Sequence, residues 1–260
     1  PVVHVTSSGG QITAELQQSI VRGLDPGGVE IIAATQPPAR TVVLPGMVVT
    51  SLEAIQALRG TATQTDDVMT AIRIFVPGEE PTSISATLTP DDADKDPIRF
   101  TLDVSAGVVT DIPIEELATG AYTVQIDADE PIVAAARTTS AVINSTGGIA
   151  TTDFAWFTAS PALTEDTQLT IASGLDAVLN VVNPSDENVV VSLSAANEME
   201  EEYTIEAGAT LRLSVPNGET FTLAHSDRLF VSVTQAANGF VSAYSVDPQA
   251  PGSSPLKVFP

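Results

Sequence analysis

The sequence predicts an all-β protein built from tandem immunoglobulin-like antiparallel β-sandwich units, with a partial unit at the N-terminus. Three observations carry that expectation. Runs of Val, Ile, Thr, Leu and Phe alternate with polar residues at period two, the pattern of half-buried strands. They recur about every ten residues, separated by turn-forming clusters such as "PGEEP", "PSDEN" and "PNGE". The later runs also repeat the earlier ones at a period of about 100 residues, the size of one sandwich.

In chain order, "VVHVTSSGGQITAEL" (2–16) reads as two strand-like runs joined by Gly-Gly, a β-hairpin. It matches "VSVTQAANGFVSAYSV" (231–246) near the other end. Its alternating Val and Ile require one buried face. Residues 1–26 therefore read as the tail of an earlier unit, or as a hairpin paired with 29–49, where "VEIIAA" and "TVVLPG" are strand-like. Residues 51–60 carry Leu52, Ile55 and Leu58 at helical spacing. Strands follow at 71–76, 83–88 and 99–104, then a single helical turn over 113–120. Strands at 121–126 and 131–137 flank "DADE" (127–130), which reads as a solvated turn. After a connector containing "DFAWF" (153–157), strands recur at 177–182, 189–195, 210–215, 220–225 and 229–234. Residues 247–260, rich in Pro, Gly and Ser, read as an extended tail.

The repeat aligns 72–88 with 178–193, 100–112 with 203–213, and 120–136 with 219–233. The connectors 27–46 and 151–174 correspond as well. These alignments place a partial β unit at 1–49, sandwich units at 50–157 and 158–248, and a tail at 249–260. The chain has no initiator Met, no charged n-region and no h-region. The expectation is a removed signal peptide, or a start inside a longer protein.

Composition narrows the chemistry. With 33 acidic and 10 basic residues the net charge is −23, which repels phosphate backbones and anionic membrane surfaces. Nucleic acid is not an expected partner. No apolar run approaches the length of a membrane span, so no membrane insertion is expected. A protein or a cell-wall glycan is the partner class that remains. The absence of Cys excludes disulfides, thiolate zinc sites and cysteine nucleophiles.

No residue set stands out as catalytic. His4 and His225 sit on or beside strands and read as satisfied strand histidines. "HSD" (225–227) holds the residue types of a triad, but neighbours on a strand face opposite ways. There is no P-loop, dinucleotide fingerprint or histidine cluster, so no cofactor is expected. Asp92, Asp94 and Asp96 alternate in "DDADKDP" and mimic the start of a calcium loop. Pro97 stands where an EF-hand needs Gly, which leaves a looser surface calcium site or a plain solvated turn. Trp156, the single tryptophan, shares a strand face with Phe154. The pair reads as core or inter-unit packing, or as a stacking platform for sugars. "NST" (144–146) is a formal glycosylation sequon.

The patterns "GLDPGGVEIIAATQPPARTVVLPG", "DFAWFTASPAL", "DADEPIVAAAR" and "VVNPSDENVVVSL" resemble an uncharacterised family of actinobacterial secreted or cell-envelope proteins. The resemblance implies export and repeated β-domains, and it carries no catalytic residues. The expected role is a non-enzymatic extracellular or envelope-associated structural or interaction module. A carbohydrate-binding module and a carboxylate-based hydrolase are the rivals; the first needs exposed aromatics, the second two converging acids in a concave pocket.

Overall fold

A computed structural model describes residues 2–10, 12, 14–22, 24–61, 68–115, 117–146, 148–195 and 199–248. The tail expected at 249–260 lies outside the described residues. The chain is all-β. Its strands are β1 (Glu15–Arg22), β2 (Asp25–Ala33), β3 (Ala39–Val49), β4 (Ala71–Phe75), β5 (Thr82–Pro90), β6 (Ile98–Val104), β7 (Val109–Pro113), β8 (Gly120–Ile143) and β9 (Ile149–Thr158). The second half adds β10 (Thr167–Thr170), β11 (Ala177–Val182), β12 (Val189–Ala195), β13 (Glu201–Ile205), β14 (Thr210–Val215), β15 (Thr220–Ala224), β16 (Phe230–Ala237) and β17 (Phe240–Ser245). One helix, α1 (Leu52–Thr61), joins β3 to the strands that follow. No helix among the described residues is long and apolar enough to cross a membrane.

β8 organises the first half. It runs 24 residues without a turn. Its first part pairs with β3 and β5, and its second part with β4 and β9. Two four-stranded sheets result, in the orders β6-β5-β8-β3 and β7-β4-β8-β9. Ile84, Leu88, Val124 and Ile126 from the first meet Ile72, Ile74, Ala136 and Phe157 from the second in one buried core. The turn expected at Asp127–Glu130 is absent. The strand changes sheets there instead: β5 pairs with it as far as Ala128 and β4 begins at Val133. Pro131 falls in that gap, where its missing N–H breaks no ladder bond. The Glu130 amide is satisfied by the Thr82 hydroxyl at 2.8 Å.

The second half pairs its strands in the same order: β13-β12-β15-β10 and β14-β11-β16-β17. Leu179, Val181, Val191, Leu193, Phe221, Val231 and Val233 form its core. Here the chain does turn between sheets. His225 and Arg228 both take positive φ, and Asp166 accepts a hydrogen bond from the His225 amide.

Three expectations need correction. β3, read as part of a partial unit at 1–49, pairs with β8 and completes the first sandwich. Residues 113–120 hold no helix among those described; Leu117 drops into the core and the Ala118 carbonyl caps the Tyr122 hydroxyl. At the N-terminus the hairpin is displaced along the chain. Residues 2–10 form no strand, and Val3 and Val5 are exposed. The hairpin is β1–β2, which turns beyond Arg22 rather than at Gly9–Gly10. α1 does form where expected, with Ala54, Ile55 and Leu58 buried against Ala141. Glu53 lies in its first turn and Arg59 in its last, both favourable to the helix dipole.

Candidate functional site

Within each sandwich one pair of edge strands leaves a side open: β3 and β9 in the first, β10 and β17 in the second. The second sandwich closes the open side of the first. Val241, Ala236 and Ala243 on the outward face of β16–β17 join the first core. Beside them the face is polar, yet buried. Ser232 donates to the Pro45 carbonyl at 2.8 Å, and Thr234 to the Gly46 carbonyl at 2.9 Å. Asn180 donates to the Ser232 and Thr234 hydroxyls and accepts from Arg212 Nε at 3.1 Å. Arg212 continues to Asp91, an ion pair that ties β14 to the end of β5. Gly46 has φ +70 and abuts the Asn180 side chain, so no larger residue fits there. An open cleft of about 300 Å³ runs beside this seam, lined by Val48, Thr50, Asp91, Asp176 and Arg212 among others. Of its charged residues, Arg212 and Asp91 pair with each other.

A second seam lies on the opposite face of the β7-β4-β8-β9 sheet, where β2 runs beside β9. Trp156 is 8% exposed and donates from its indole Nε1 to Gln18 Oε1 at 2.7 Å. Arg73 stacks on the indole, 4.8 Å from its centroid, and is held by two 2.7 Å bonds to Asp111. That pairing keeps the Asp111 carboxyl below its usual range. Arg137 stacks on Phe154 at 4.9 Å. The Trp156–Phe154 face is thus covered by the N-terminal hairpin and by arginines, and offers no open ring to a sugar. It also faces the hairpin, whereas the sequence placed Trp156 between the two full units.

Two buried carboxyls sit where the seams meet. Asp153 on β9 accepts from the Val241 amide of β17 at 3.1 Å. Glu30 on β2 is 4% exposed, and its Oε1 has no hydrogen-bond partner. Burial, then the nearby Asp153 charge, push the Glu30 carboxyl up to about 8; the Ala243 and Trp156 amides offset only part of this. Burial likewise raises Asp153. Neutral pH therefore leaves Glu30 largely protonated.

The other sequence candidates are dispersed. Asp92, Asp94 and Asp96 are exposed. Asp92 binds Lys95 and accepts from the Asp94 amide, a self-contained turn. Among the described residues no group of three or more His, Asp or Glu is placed to hold a metal ion. In "HSD", the Ser226 hydroxyl donates to the Glu165 carbonyl and Asp227 faces Arg228. His4 is exposed on the unpaired N-terminal stretch. Asn144 closes its own turn, accepting from Thr146 and Gly148. Sequence reasoning missed Glu30, Asp153, Asn180 and Arg212. Two of them carried a signal: Glu30 interrupts "VEIIAA" and Asn180 interrupts "AVLNVV", each a polar residue within an apolar strand.

The model of a family of unknown function (DUF5719) matches residues 1–216. No curated protein matches the chain. Among solved structures, the crystal structure of Thermotoga maritima 1070 aligns with 13% identity. It covers 48% of this chain and 95% of that one at a TM-score of 0.34, a likeness too low to carry any inference.

Proposed function

The chain belongs to the DUF5719 family of unknown function, and from that premise we propose that it is a non-enzymatic structural or interaction module, secreted or held at the cell envelope. The observation that supports this reading is the use made of its buried polar groups. Asn180, Ser232, Thr234, Arg212 and Asp91 bond to one another and to the facing sandwich; Thr234, Arg212 and Asp91 also line the cleft beside the seam, but there Arg212 and Asp91 are engaged with each other. Buried polar contacts of this kind fix a register, because a shifted register strands donors and acceptors out of water. Two sandwiches held in one relation make a rigid spacer. The extracytoplasmic part of the reading rests on the resemblance to exported envelope proteins.

Two measurements test it. Antibody to the chain, used on fractionated cells of the native host, should find it in the envelope or the medium; recovery in the cytosol removes the extracytoplasmic reading. Small-angle scattering should fit one rigid two-sandwich body, and a distribution of inter-sandwich distances would contradict the spacer.

A further inference from the structure

The seam between the sandwiches recurs one step toward the N-terminus. In the second sandwich Leu179 pairs with Val233, Val233 with Tyr244, and Thr234 with Ala243. In the first, Ile72 pairs with Ala136, Ala136 with Phe157, and Arg137 with Trp156. Trp156 and Phe154 therefore hold the places of Ala243 and Val241, the residues by which the second sandwich enters the first. β1–β2 meets Trp156 and Phe154 as β9 meets Val241 and Ala243, and each brings a buried carboxyl, Glu30 or Asp153. The hairpin β1–β2 thus stands to the first sandwich as β8–β9 stands to the second.

The correspondence breaks on the hairpin's far side. Counted back from Pro38 and Pro161, Ile31 holds the place of Phe154. Phe154 is 1% exposed, but Ile31 is 61% exposed, with Val29 on the same strand and Val21 farther along the hairpin also open. Nine of the fourteen large hydrophobic side chains exposed among the described residues lie within residues 2–31. In the second half, no strand of another sheet among the described residues packs on the side between β10 and β17 as β16–β17 packs on the first sandwich. Phe240 holds the ladder place of Asp153 there and is 47% exposed. Tyr244, in the place of Phe157, reaches across to β10, donating to the Thr170 carbonyl and accepting from the Ala172 amide.

We propose that the outward face of β1–β2, centred on Val29 and Ile31, docks into the open β10–β17 side of a second copy of this chain, as β16–β17 docks into the open side of the first sandwich. The proposal rests on the reading of the chain as an interaction module and names its partner. The contact repeats a seam the fold already makes, and it would cover Val29 and Ile31 on one copy and Phe240 on the other. It is head-to-tail, so it propagates rather than closing as a pair. The net charge of −23 opposes it, and salt should therefore strengthen it by screening.

Sedimentation velocity of the full chain over a range of concentrations, at low and at physiological salt, tests this. The mean sedimentation coefficient should rise with concentration, and more so with salt. Val29→Asn with Ile31→Asn should abolish the rise, and so should Phe240→Asp; all three positions are exposed, and unchanged circular dichroism and thermal midpoint will show that the variants fold. Mixing the two variants should restore one interface and stop at a dimer. A wild-type chain that stays monomeric overturns the proposal, as does association that survives either variant. A mixture that remains monomeric does too. Any of these leaves the localisation and scattering tests untouched, so failure of the contact is distinct from failure of the module reading.

Discussion

Replacing Glu30 by Gln should make the chain more stable at alkaline pH while leaving it nearly unchanged at pH 5. The folded carboxyl titrates at about 8 and the unfolded one near 4.5. Between those values the folded chain holds a proton that the unfolded chain has released. Stability therefore falls as pH rises through that window, at up to ~1.4 kcal/mol per pH unit for one proton. The full window sets a ceiling of about 5 kcal/mol. Glu30 and Asp153 titrate as a coupled pair, and water entering around an ionised Glu30 lowers the cost further, so about 2–3 kcal/mol is the expected effect. Gln mimics the protonated acid, keeps its shape and cannot ionise. Urea unfolding followed by fluorescence of Trp156, which borders Glu30, reads the change directly. Wild type and variant should coincide at pH 5 and diverge steadily toward pH 8, with the variant the more stable, and run parallel above pH 9. Parallel curves across the whole range would refute the argument that Glu30 is protonated by burial.

Three further substitutions follow from the seams. Gly46→Ala forces a side chain into Asn180 at a positive φ and should cost about 2–4 kcal/mol, read as a lowered urea midpoint. Asn180→Ala removes the acceptor of Arg212 and the donor to Ser232 and Thr234, and should cost about 1–3 kcal/mol; the matching test is a double-mutant cycle with Thr234→Val, which should show coupling. Gln18→Ala strands the Trp156 indole N–H and loosens β1 over it, so acrylamide quenching of fluorescence should increase, whereas an unchanged quenching constant would mean that the hairpin does not shield the ring.

Much of the strand pattern was legible because alternation reports burial. "SISATL" and "AVLNVV" lie inside β5 and β11, with Ile84, Ala86 and Leu88, and Ala177, Leu179 and Val181, inward. The helix was legible from Leu52, Ile55 and Leu58. What failed had physical causes. "DADEP" has the composition of a turn, yet β8 runs through it because partners on both flanks hold the chain extended. "VVHVT" has the composition of a strand, yet among the described residues it pairs with none; β2, in the segment expected to partner it, pairs with β1. The seam residues were hidden for another reason. Arg212 alternates with the core residues Leu211 and Leu213, so the pattern assigns it to solvent; Asp153 shares the core-facing phase of Ala155 and Phe157, on the side that the second sandwich covers. Only the position of a second sandwich, which no local pattern encodes, turns that outward face into an inside.

The unbroken course of β8 has a mechanical consequence. A strand that belongs to both sheets of one sandwich joins them through continuous extended backbone, with no turn to act as a hinge. Prising the sheets of the first sandwich apart must therefore bend or unpair β8 itself. The second sandwich is jointed at His225–Arg228, where left-handed backbone replaces the extended run. Under a pulling load the two halves should differ accordingly: the jointed one has a turn about which its sheets can part, and the seamless one must first break the pairing of β8.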